Sequence, residues 1–345
     1  MLTKERCLAM RALAIFCIIL HNYCHWLDNA ASENEFTWLK YRDSIFWEHF
    51  FDFNRFIIID FFSYFGHYGV TVFLFLTGYG LTIKYGFERN NISTLHYIGN
   101  HFCKLEILLI SGLVFYYIVF FLFNYNLKSI SHLFAQILFV ANWLPYPNLA
   151  IEPGPYWYLG LTMHLYLLYR YVIIRMSSYS FVIMIIFSLL LLFIFRYDFV
   201  VLRWLRYNFV GNILAFSVGI LFAQHPYSLR KCDGYLLLLT TFIGLVLSNW
   251  SFYLWILSPI VAILFYYSLV CVLPDFFNKL LSKIGIYSSS IFIVHPTIRL
   301  FLFSSYENSI LSSFLWIFIY VILVSLCAFF HYFIIFKINM LLKTK

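Results

Sequence analysis

Apolar runs close to twenty residues long recur along this chain. They lie at 8–27, 67–84, 105–124, 157–176, 179–195, 208–224, 235–250, 253–273, 286–304 and 312–336. A bilayer core about 30 Å thick takes roughly 20 apolar residues to cross as a helix. Inside lipid every backbone N–H and C=O must be satisfied by the segment itself or by a closed barrel. Runs of this length therefore predict an all-α polytopic membrane protein with about ten transmembrane helices. Composition agrees: 63% of the 345 residues are hydrophobic and 11% are charged, against about 25% charged in a soluble domain. The formal net charge is +8. Its basic residues stand singly between apolar runs, so they read as topology signals and not as a nucleic-acid footprint.

One further apolar stretch, 130–144, is shorter and runs into Trp143-Leu144-Pro145-Tyr146-Pro147. Counting it as a span would reverse everything after it. Cytoplasmic connections carry an excess of Lys and Arg. With ten spans and an inner N-terminus, fifteen of the 23 basic residues fall inside. An eleventh span would move Arg170 and Arg175 outside. The acids Asp28, Glu33, Glu35, Asp43, Glu48, Asp52 and Asp60 all fall in the first outer connection. The plan expected is thus ten spans with both termini cytoplasmic and 130–156 as an outer-face segment. Two connections are long, 28–66 and 125–156, and long connections in a compact fold are usually functional. The first reads as an amphipathic surface segment, with Trp38, Phe46, Trp47, Phe50, Phe51 and Phe53 among charges. No small-residue cleavage site follows the first run, so it is expected to stay as a helix. The seven cysteines form no CxxC pair and read as small buried hydrophobes; no metal site is expected. No internal repeat is visible, and a single domain over 1–345 is expected.

Ionisable groups at membrane depth are expensive and mark function by default. The first run carries three: Arg11 near its cytoplasmic end, then His21 and His25. His21 lies about 15 Å beyond Arg11 at 1.5 Å per residue. His25 follows four residues later, on the same face. Histidine is the commonest general base, because it titrates near neutrality. Three more pieces stand out. One is Gly69-Val-Thr-Val-Phe-Leu-Phe-Leu-Thr77-Gly78-Tyr79-Gly80, with small residues for close helix approach and a hydroxyl for cross-helix bonding. Another is Glu152-Pro-Gly-Pro-Tyr-Trp157-Tyr-Leu-Gly160, followed by His164 and Tyr166, where Trp157 could equally anchor an interface. The last is Ser290-Ile-Phe-Ile-Val-His295-Pro296.

These four pieces, in this order, resemble the acyltransferase-3 family of integral membrane acyltransferases over essentially the whole chain. The family has an arginine–histidine pair in its first helix, a Gly-Val-x-x-Phe-Phe-x-x-Ser-Gly-Phe-like second helix, a Trp-x-Leu segment, and a Ser-x-x-Ile-Tyr-Leu-x-His-like helix near the C-terminus. The chain departs from it in places. Nine residues separate Arg11 from His21 where the family has ten, so Asn22 holds the expected position, and His25, fourteen after Arg11, falls within about 40° of Arg11 around the helix. Thr77 stands where Ser is common. Thr162 and His164 occupy a region where a Glu is common, and an arginine pair is reduced to His101 and Lys104.

The resemblance implies transfer of an acyl group, acetyl from acetyl-CoA, to a hydroxyl of a carbohydrate or glycolipid at a bacterial inner membrane. His21 or His25 would be the base. Arg11, assisted by Lys104, would hold the CoA phosphates. Thr77, Gly78, Glu152, Trp157, Tyr166 and His295 are the substrate-site candidates. Acetyl-CoA enters as co-substrate, with no bound cofactor. The competing reading is a polytopic transporter whose first helix is a His–Arg relay.

Overall fold

The computed structural model describes residues 2–27, 30–31, 33–52, 57–86, 93–123, 129–227, 229–303 and 310–343. Asp28 and Phe53 lie outside these. The described chain is helical, with no strand among the described residues. In order, α1 is Lys4–Cys24, α2 Lys40–Phe51, α3 Ile57–Phe65, α4 Tyr68–Tyr85, α5 Thr94–Leu122, α6 Ile130–Ile137, α7 Pro147–Ala150 and α8 Trp157–Tyr171. Then come α9 Ser178–Ile194, α10 Phe199–Tyr207, α11 Phe209–Gln224, α12 Lys231–Leu247, α13 Phe252–Val272, α14 Asp275–Gly285, α15 Ser288–Phe303 and α16 Ile310–Lys343.

Among the described residues, five stretches are long and apolar enough to cross a membrane: Lys4–Cys24, Ile57–Tyr85, Thr94–Leu122, Phe252–Val272 and Phe314–Leu341. The pairs α10 with α11 and α14 with α15 raise the number to seven if each pair is one span. Helices α8, α9 and α12, expected as spans, are 15, 17 and 17 residues long, short of the roughly 20 that a perpendicular crossing takes. Helix length thus supports five to seven spans where hydropathy runs alone counted ten. The stretch 130–144 contains only the 8-residue α6, too short to cross. Phe139, at φ 57°, turns the chain after it.

The helices group into two compact units, Met1–Ile92 with Leu168–Ile286, and Ser93–Leu167 with Tyr287–Lys345. In the first, α1 begins where the Thr3 hydroxyl accepts from the Arg6 N–H at 3.2 Å, a side-chain N-cap. Glycines then bring backbones into contact. A Cβ on Gly69 would lie 2.4 Å from the Ala14 carbonyl of α1, and on Gly78 it would lie 2.2 Å from the Phe216 carbonyl of α11. Gly219 meets the Phe75 carbonyl of α4 in the same way, at 2.0 Å. Helix α4 is therefore held on both sides, by α1 and by α11, at separations only glycine allows.

Two helices contain an internal proline, and each is repaired by the residue before it. Proline removes one i→i−4 bond and orphans a carbonyl. Below Pro259 in α13 the orphan is the Trp255 carbonyl, and the Ser258 hydroxyl donates to it at 2.7 Å. Below Pro296 in α15, in the second unit, it is the Phe292 carbonyl, 2.7 Å from His295 Nδ1.

Candidate active site

Helix α1 presents His21 and His25 one turn apart, as the sequence spacing requires. Their ring centroids are 5.1 Å apart. The helix is α-helical over its full length, without a bulge. A third imidazole, His67, joins them from the turn between α3 and α4, with its ring 5.6 Å from His21. Gly66 makes this possible, since a Cβ there would lie 2.6 Å from the His21 Cβ and 2.6 Å from the Cys17 carbonyl.

The middle imidazole is keyed. His21 Nδ1 stands 2.9 Å from the Ser63 carbonyl. Helix α3 ends at Phe65, so that carbonyl is one of the four a helix end leaves without a partner. A carbonyl only accepts, so in the neutral ring Nδ1 carries the proton and Nε2 keeps the lone pair. His67 is buried, and neither of its ring nitrogens has a hydrogen-bond partner among the described residues. No group of three or more His, Cys, Asp or Glu side chains is arranged to hold a metal among the described residues.

Arg11 lies at the other end of the same helix, half-buried. Among the described residues its guanidinium has no carboxylate partner and makes no hydrogen bond. Its azimuth on the helix is about 40° from that of His25 and about 80° from that of His21.

The first long connection folds over the His25 end of α1. Asp60 of α3, fully buried, accepts from the Ala31 N–H at 2.7 Å and pairs with His49 Nδ1 at 2.9 Å. Arg206 of α10, 8% exposed, donates to the Glu35 and Gly211 carbonyls and lies 5.0 Å from the Trp255 ring. Trp38 donates to the Asn249 carbonyl at 2.9 Å. Phe36 stacks on Tyr207. The connection is thus packed into the unit and not merely spread on a surface. Two of its glutamates pay for that burial: Glu33 is pushed up to about 8 although Arg42 sits 3.4 Å away, and Glu35 to about 7. Desolvation outweighs the nearby arginine in both.

In α4, the Thr77 hydroxyl donates to the Phe73 carbonyl at 2.8 Å within its own helix. Among the described residues it makes no cross-helix bond, in contrast to the expectation. Gly78 is a helix-packing residue against α11.

The other candidates belong to the second unit. Lys104 is exposed on α5. The Glu152 N–H donates to Gln136 Oε1 at 3.1 Å, and the carboxylate lines a small cleft with His132 and Gln136. Trp157, expected also as an interface anchor, is 4% exposed, and its carbonyl accepts from Asn142 Nδ2 at 2.9 Å. The Tyr166 ring lies 4.1 Å from that of His101. His164 stands 2.8 Å from the Phe139 carbonyl and Thr162 bonds back to the Tyr158 carbonyl, so neither replaces an acid. His295 is fully buried and holds the carbonyl orphaned by Pro296.

Two histidines escaped the sequence reading. His67 carried one signal, its position between Gly66 and Gly69. His331 of α16 carried none. Its Nε2 lies 2.9 Å from the Ser111 hydroxyl of α5 and its Nδ1 lies 3.0 Å from the Ser290 hydroxyl of α15.

The chain matches the acyltransferase domain of the acyltransferase-3 family over residues 9–333. It belongs to that family. The match runs from α1 nearly to the end of α16 and so takes in the imidazole cluster. An acyltransferase-3 protein with helices this apolar is an integral membrane acyltransferase. No curated protein and no solved structure matches the chain.

Proposed function

We propose that this acyltransferase moves an acetyl group from acetyl-CoA to a hydroxyl of a carbohydrate or glycolipid at a bacterial inner membrane, with His21 as the general base. The observation that carries the reading is the bond from His21 Nδ1 to the Ser63 carbonyl. It favours the tautomer whose Nε2 can accept a proton, in the last turn of α1. His21 Nε2 takes the acceptor hydroxyl's proton as the oxygen attacks the thioester carbonyl. The tetrahedral intermediate collapses, the C–S bond breaks, and the proton passes to the departing CoA sulfur. His25 and His67 flank that ring with two further imidazoles, at centroid distances of 5.1 and 5.6 Å. Arg11 offers a guanidinium with no carboxylate partner among the described residues at the cytoplasmic end of α1, suited to the phosphates of CoA. The ten-span plan with both termini cytoplasmic belongs to the same proposal.

Membrane vesicles containing the protein should release CoA from acetyl-CoA when glycan acceptors are supplied. His21→Ala should abolish that release at equal amounts of folded protein. Movement of a glycan across the vesicle membrane without CoA release would favour transport instead.

A further inference from the structure

Beside the imidazole cluster, the first unit contains an apolar cleft of about 150 Å³. Its walls come from α1 (Cys17), α3 and its following turn (Phe61, Phe62, Gly66), α12 (Leu245) and α13 (Phe265). Cys17 lies one turn from His21 toward Arg11, about 6 Å along the helix. Gly66 packs directly on the His21 Cβ. His21 is not itself a wall residue, but two of its neighbours, Cys17 and Gly66, are.

The cleft offers nothing to a sugar. The Tyr68 hydroxyl on its wall is bonded to Ser248, and the Cys17 thiol is bonded to Tyr266. A buried carbohydrate hydroxyl without a partner costs free energy, whereas a hydrocarbon needs no partner. An apolar cavity near 150 Å³ stays dry and takes a guest about the size of benzene, equivalent to a handful of chain carbons. Two wall residues, Phe61 and Phe242, are 42% and 44% exposed. The mouth is thus made of outward-facing aromatic rings, the surface that a membrane helix turns to lipid. What enters by such a mouth is already dissolved in the bilayer.

Building on the acyl-transfer reading, we infer that the acceptor is lipid-anchored, and that the first carbons of its hydrocarbon anchor occupy this cleft while its hydroxyl group meets His21. A soluble donor arriving at Arg11 has no need of a side opening, and an acetyl group is far too small to fill the space. The tail runs one turn deeper than the imidazole, the order expected of a molecule whose polar end lies nearer the outer surface.

The test uses the full chain in nanodiscs. A dodecyl glucoside bearing a diazirine near its sugar end is photolysed, and the labelled peptides are mapped. Label should appear on the segments carrying Phe62 and Leu245. It should be competed by dodecyl glucoside and not by methyl glucoside, and it should fall at least tenfold in Leu245→Trp or, should that variant misfold, in a Trp variant of the neighbouring wall residue Val246 (Val246→Trp). Labelling equal to that on α16 and insensitive to these substitutions would mean that bulk lipid alone fills the cleft, and the inference would fall. Competition by octanoyl-CoA in place of dodecyl glucoside would assign the cleft to the donor chain and overturn it as well. A second arm measures CoA release with methyl and dodecyl glycosides of common hexoses. The dodecyl-to-methyl ratio of kcat/KM should drop at least tenfold in Leu245→Trp. An unchanged ratio refutes the anchor while leaving acyl transfer standing. Absence of CoA release with every acceptor refutes acyl transfer, and the labelling then decides the cleft by itself.

Discussion

His21 and His331 are both interior imidazoles, and they differ in what their nitrogens meet. His331 is closed. The Ser111 hydroxyl donates its one hydrogen to the Leu108 carbonyl at 2.9 Å, so it must accept from His331 Nε2–H. The other nitrogen then accepts from Ser290. Every valence is used, and three helices of one unit are tied together. His21 is half open: Nδ1 is spent on a peptide carbonyl, and the ring otherwise faces two imidazoles. A buried polar group whose bonds are complete serves the fold; one left with a lone pair can serve a reaction. His295 adds a condition. Its Nδ1 repairs the Pro296 gap and its Nε2 has no hydrogen-bond partner among the described residues, yet it is fully buried. An unused nitrogen matters only where a substrate can reach it.

The comparison breaks most directly at the two rings. His21→Ala should lower acyl transfer per folded molecule by about 10²–10⁴-fold, the usual cost of losing a general base. His331→Ala should leave that rate within a few-fold and lower the yield of folded protein instead, read by fluorescence-detected chromatography. The reverse pattern would exchange their roles. His25→Ala is the internal control: if it abolishes transfer while His21→Ala does not, the base is one turn further along α1.

Next in size is the contact between α4 and α11. Gly78→Ala would set a methyl group 2.2 Å from a backbone oxygen with no flexible side chain to yield. Overpacking of this kind costs about 1–3 kcal/mol, visible as a lower melting temperature of the purified protein. Gly80, where a Cβ meets nothing within 4 Å, should accept alanine without that loss.

Arg11→Ala should raise the KM for acetyl-CoA about tenfold, near the worth of a charge-assisted bond to phosphate, with little change in the acceptor's KM. Arg11→Lys should recover part of it. Equal effects on both substrates would make Arg11 structural.

The smallest effect expected is on pH. Folding raises Glu33 to about 8 and Glu35 to about 7. An acid raised in the fold favours it fully below its ordinary value of 4.5, and that contribution is lost as pH climbs through the folded value. The melting temperature should therefore decline between about pH 5 and 8.5. Glu33→Gln should shallow the decline by roughly 2–4 °C. A decline of equal slope in the variant would locate the effect elsewhere.

Hydropathy made the long helices legible, because α1, α5, α13 and α16 are apolar on every side. It overcounted where tyrosine and phenylalanine also fill turns. The run 157–176 contains a helix that stops at Tyr171 and a tight turn at Ile173–Arg175. The pairing of His21 with His25 was legible from a four-residue step. The arrival of His67 was not, since a histidine in a turn has no periodicity and its meeting with α1 depends on a fold spanning 46 positions. The duties of His295 and Ser258 followed a rule open to inspection: each precedes a helical proline.

The glycine contacts that clamp α4 have a mechanical consequence. Helices α1, α4 and α11 touch backbone to backbone, and main-chain atoms, unlike side chains, have no rotamers with which to absorb a shift. The three helices form a wedge that moves as one body or not at all. Any gating that admits substrate must bend the connections around this wedge. A change at Gly219, far along the chain from His21, should be transmitted to the imidazole almost undamped.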